Sequence, residues 1–96
     1  MKQVMIMCSA DISETVRDAL VASEIEGFLK IPHAVGSKPG ATWSHGRYPL
    51  WEAEVYLAAI EDAAVQPIVD RLKDYAGHCD VEPCLRILVS SLDAVY

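Results

Sequence analysis

The chain has 96 residues, 52% of them hydrophobic and 23% charged, with a formal net charge of -6. That length suits one domain, residues 1–96, with a modest core, and an acidic balance without a basic run argues against a protein that neutralises a nucleic-acid backbone with Lys and Arg. No stretch approaches the roughly 18 consecutive apolar residues of a membrane span. Nothing resembles a secretory leader, and the three cysteines form no regular framework, so the expected setting is cytoplasmic, without membrane insertion.

Gln3 to Ser9 alternates Val4, Ile6 and Cys8 with Met5 and Met7, so both faces of this first strand are apolar and each needs a cover. Asp11 followed by Glu14 reads as a capping-box variant, and Ile12, Val16, Ala19 and Leu20 recur at helical spacing to about Ser23. Gly27 ends the turn. Phe28 to Val35 resumes as a strand, and Pro32 within it points to a sheet edge, where a missing donor is tolerated. His33 to Pro49, rich in Gly, Pro and aromatics, reads as one long functional loop.

Trp51 to Ile60 is the clearest strand, with Ala53, Val55, Leu57 and Ala59 on one side, assigned to the core, and Glu52, Glu54, Tyr56 and Ala58 on the other. Asp62 is placed to cap a second helix whose Val65, Ile68, Val69, Leu72 and Ala76 share a face. Pro67 is expected near its first turn, and Gly77 at its C-terminal cap. Leu85 to Ser90 is the last strand, and Asp93 to Tyr96 a tail.

Strand, helix, strand, loop, strand, helix, strand is the order of a ferredoxin-like α+β sandwich, β-α-β-β-α-β, with four antiparallel strands and two helices on one face. Its uncovered sheet face is expected to carry Met5, Met7, Tyr56 and Leu88 beside Glu54 and Arg86. So much apolar surface facing water is unusual for a monomer, so association through the sheets follows.

Three pieces of sequence carry a family resemblance: Glu26-Gly27-Phe28 leading into the second strand, the long stretch before the third strand, and the ending Arg86-Ile87-Leu88-Val89. In these the chain resembles the PII-like superfamily, the nitrogen-regulatory PII proteins and the CutA proteins, over nearly its whole length. The resemblance implies a homotrimer of ferredoxin-like subunits whose open sheet faces meet. It also implies small-molecule effectors in clefts between subunits and a mobile T-loop, here 33–49, that engages a partner protein. The segment after the second helix, Ala76 to Pro83, lacks the glycine and lysine pattern of a PII phosphate-gripping loop and holds Asp80 and Glu82, so the resemblance does not extend to ATP sensing. Trp43-Ser44-His45-Gly46-Arg47, followed by Glu54-Val55, resembles the CutA proteins, which are associated with divalent metals.

Several groups of residues could carry chemistry, each against a plainer role. Gly36, Ser37, Lys38, Pro39 and Gly40 suit an anion, because glycines let backbone N–H groups approach a ligand and Lys38 adds a charge; the same composition also makes an ordinary hairpin turn. Trp43, Tyr48 and Trp51 with Arg47 suit a flat ligand or a partner surface, and equally the packing of the loop on a neighbouring subunit. Arg86 is a further candidate at a subunit cleft. His33 and His45, with Glu52 or Glu54, form a candidate zinc or copper site. His78, Cys79 and Cys84 offer an imidazole and two thiolates without the paired spacing of a zinc knuckle, and Cys8 is most simply a small buried hydrophobe.

No arrangement of nucleophile and acid/base residues demands an enzyme, and nothing in the sequence names a cofactor. Three functions follow in order: a trimeric PII-like regulator binding a small, anionic or nucleotide effector through Gly36, Ser37, Lys38, Gly40, Trp43, Arg47 and Arg86; a CutA-like metal-binding trimer using His33 and His45; and a small α+β barrel enzyme.

Overall fold

The computed structural model describes residues 1–37, 50–74 and 84–96, and of Ser37, Leu50 and Trp51 the backbone only. β1 spans Lys2–Ser9, α1 Ser13–Ala22, β2 Leu29–Ser37, β3 Leu50–Ile60, α2 Asp62–Lys73 and β4 Leu85–Ser91. The strands form one antiparallel sheet in the order β2-β3-β1-β4. This is the expected ferredoxin-like sandwich, and β2 with its Pro32 is an edge strand.

Cross-strand partners share a face, so the register sorts the side chains. Val4 lies opposite Ala58 and Val89, Ile6 opposite Tyr56 and Ile87, and Cys8 opposite Glu54 and Leu85. This face packs with Val16, Ala19 and Leu20 of α1 and Ile68 and Leu72 of α2 into one buried core. Every methyl removed from water in that layer contributes roughly 0.8 kcal/mol.

The core face of β3 is the reverse of the one the alternation suggested. Tyr56 is fully buried beneath the helices, while Val55, Leu57 and Ala59 join Met5 and Met7 on the open face. Periodicity favoured the other side because Glu52 and Glu54 share a face with Tyr56 and Ala58. The tyrosine hydroxyl decides in favour of the helix side. It donates to the Ser13 carbonyl at 3.1 Å and accepts from Ser13 Oγ at 2.8 Å, at the start of α1. A buried hydroxyl without such partners would cost about 1–3 kcal/mol. Phe28 meets the same ring edge-on at 5.6 Å.

Helix boundaries depart from the sequence reading in three places. A 3-10 turn over Ala10–Ile12 precedes α1, and Ile12 rather than Asp11 sits at the cap, with no side-chain capping bond. The turn lets the chain leave β1 tightly, and Ser13 serves Tyr56 instead. At the other end Ser23 Oγ donates to the Ala19 carbonyl at 2.8 Å, and Glu24, with φ 56, takes the left-handed conformation before Gly27 is reached. Glu61 precedes α2, whose first residue, Asp62, pairs with the chain's amino group at 2.6 Å; this hydrogen bond holds the Asp62 carboxyl below its usual range.

Pro67 lies inside α2, past its first turn, and forfeits a backbone bond there. Burial of Ile68 and Leu72 on the same helix offsets that loss. The expected positions of Ala76 and Gly77 lie outside the described residues.

Candidate effector site at the bulged end of the sheet

The period-2 pairing of β2 with β3 slips once. Ile31 pairs with Val55 and Ala34 with Ala53, so Pro32 and His33 together oppose Glu54. This is a β-bulge, with His33 in the left-handed region at φ 59, a conformation uncommon outside glycine. Proline has no N–H to place in the ladder, which favours the irregularity here. Lys30 on one side of the bulge reaches across to Glu54, Nζ to Oε2, at 3.3 Å.

Beyond the bulge the pairing resumes: Val35 with Glu52, Gly36 with Trp51 and Ser37 with Leu50. β1 ends at Ser9 opposite Ala53, so the two strands continue as a ribbon past the body of the sheet. His33 to Ser37 are therefore strand and not loop, a correction to the expected 33–49 loop. Strand pairing over those residues supplies the backbone bonds that a loop would have to find elsewhere.

A cavity of about 160 Å³ opens at the root of this ribbon, lined by Ala10, His33, Ala34, Val35, Glu52, Ala53 and Glu54. Two carboxylates in one small cavity favour a cation or a hydrogen-bond donor over phosphate. The cavity brings His33 to Glu52 and Glu54, as the sequence suggested for a metal. Among the described residues, however, no three His, Cys, Asp or Glu side chains are arranged to hold a metal ion. His45 lies outside the described residues.

The anion-binding candidates divide. Gly36 and Ser37 sit in the ribbon, while Lys38, Pro39, Gly40, Trp43, Arg47 and Tyr48 lie outside the described residues, as do His78 and Cys79. Arg86 is exposed on β4, opposite Met7, in the open-face row Ile31, Val55, Met7, Arg86. Three strand spacings, roughly 14 Å, separate it from β2. Within one chain Arg86 and the ribbon do not converge.

The cysteines split as well. Cys8 is fully buried and free, as expected of a small hydrophobe, and its Sγ points at the Glu54 carbonyl at 3.5 Å. Burial pushes its thiol up to about 11, with the Glu54 charge adding and the Ser13 hydrogen bond opposing. Cys84 is disulfide-bonded, which overturns its role as one of two thiolate ligands: a bridged sulfur has no thiolate to give a metal. Its carbonyl accepts the Ser9 N–H at 2.9 Å, tying the start of β4 to the end of β1 beside the cavity.

Sequence reasoning missed Ala10, Ala34 and Val35 as cavity walls. The available signal was the spacing of Ile31 and Ala34, three apart across Pro-His where a regular strand would repeat at two.

On the open face, Leu29, Ile31 and Leu88 are 60%, 40% and 49% exposed, and Met5, Met7, Val55 and Leu57 are only partly covered. The fold of this chain has solved counterparts. CPII from Thiomonas intermedia, a nitrogen regulatory PII-like protein, superposes in its apo form with a TM-score of 0.70 at 14% identity, over 93% of this chain and 85% of that one. The same protein bound to ADP, AMP and bicarbonate gives 0.68 at 18% identity, over 93% and 86%. Bound to ADP, AMP and acetate it gives 0.67 at 15%, over 92% and 81%.

The fold is that of a PII-like protein. No protein-family model matches the chain and no curated protein matches it, so the PII-like likeness is carried by three-dimensional arrangement at low identity. Within it, the β2–β3 ribbon leads into the long stretch before β3, and the open face is the side left bare by both helices. No helix among the described residues is long and apolar enough to cross a membrane.

Proposed function

We propose that this chain is a PII-like regulatory subunit of the cytoplasm that assembles as a homotrimer through its open sheet faces. It binds a small anionic or nucleotide effector at the subunit clefts and contacts a partner protein through the 33–49 segment. The observation that carries the reading is the open face: Leu29, Ile31, Val55, Leu57, Met5, Met7 and Leu88 form a continuous apolar layer on a fold shared with CPII. Water on such a layer is unfavourable at about 25 cal/mol per Å². A second argument comes from Arg86. It lies three strand spacings from β2, which carries Gly36 and Ser37 of its own chain, so in the proposed trimer it serves an effector held by a neighbour's Gly36, Ser37, Lys38, Gly40, Trp43 and Arg47.

The cavity carboxylates Glu52 and Glu54 repel phosphate, which leaves the anion to Lys38, Arg47 and Arg86 and the backbone of the glycines. The effector then biases the order of a segment whose two ends are fixed by β2 and β3. CPII has been solved bound to ADP, AMP and bicarbonate, and these are the first compounds to try.

The test is a solution mass by light scattering, followed by calorimetric titration of ADP, AMP and bicarbonate into the intact chain and into Arg86→Ala. The expected mass is three times the 10.5 kDa of one chain. At least one compound should bind, and the substitution should weaken it about tenfold or more, the loss of one charge-assisted contact. A mass of one chain at high concentration would overturn the assembly; a trimer that ignores all three compounds would overturn the effector class.

A further inference from the structure

No further inference is drawn: the strongest candidate, the apolar groove of about 450 Å³ between α2 and the outer edge of β4, lined by Val69, Lys73, Leu85, Ile87 and Val89, carries nothing because nothing among the described residues shows what covers it.

Discussion

The two faces of this sheet are nearly equal in apolar content and opposite in fate. Val4, Ile6, Tyr56, Ala58 and Ile60 are sealed under the helices, while Met5, Met7, Val55 and Leu57 of the same strands, and Leu88 of β4, stay partly or largely open. Hydrophobicity therefore does not decide which side of such a strand becomes the core. The covering helices decide it, together with a polar group that must be satisfied inside, the Tyr56 hydroxyl on Ser13. The open face keeps its apolar layer, and in the proposed trimer that layer is buried by other copies.

If the helix side is the folding core, truncation there should cost most. Leu20→Ala removes a fully buried side chain and is expected to lower the unfolding free energy by about 2–5 kcal/mol, because the neighbours relax only partly into the space. Urea unfolding measures it, and a loss below about 1 kcal/mol would mean that α1 does not close the core.

Cys8 sharpens the contrast through pH. Its folded thiol titrates near 11, above the ordinary 9.0, chiefly because burial disfavours the thiolate. A group whose folded value is raised stabilises fully below its unfolded value. That stabilisation drains away as pH climbs from about 9 towards 11, when the unfolded chain ionises first. The expected loss is on the order of 2–3 kcal/mol at about 1.36 kcal/mol per pH unit. Unfolding curves of wild type and Cys8→Ala from pH 8 to 11 check it; parallel pH slopes would show that the sulfur is not sealed in the core.

How far all this could be read beforehand depends on where polar groups and irregularities sit. The element order, the edge position of β2 and the apolar open face were legible because periodicity and Pro32 report them directly. The sidedness of β3 was not, since its partner Ser13 is 43 residues away in sequence. The bulge at Pro32–His33 left composition unchanged and showed only in the three-residue spacing of Ile31 and Ala34, so it was missed, and with it went the cavity walls. The capping of α1 failed for a related reason: Asp11 matches the pattern, but the 3-10 turn places Ile12 at the cap. Of the candidate site, Gly36, Ser37, His33 and Arg86 could be placed, and Arg86 landed on the far edge.

A smaller effect is expected from the hydroxyl that orients β3. Tyr56→Phe keeps the ring against Phe28 and removes both bonds to Ser13, at a cost of about 1 kcal/mol. Because the two residues share one interaction, Ser13→Ala added to Tyr56→Phe should cost less than the sum of the singles. Additive losses in a double-mutant cycle of urea midpoints would remove the tyrosine from its role in choosing the face.

The open face should give the smallest change in the stability of a single chain, and that is what makes it diagnostic. Leu88 is about half exposed and lies opposite Met5, so Leu88→Asp touches little of the folding core and should shift monomer stability by no more than about 0.5 kcal/mol. In the proposed trimer the same carboxylate is forced into an apolar layer and must be desolvated there, at a penalty of several kcal/mol. The variant should retain its far-ultraviolet circular dichroism while its mass falls from three chains to one. A variant that still forms trimers would mean that the sheets do not meet through Leu88, whereas one that unfolds would mean that this face belongs to the core after all, erasing the distinction between the two sides.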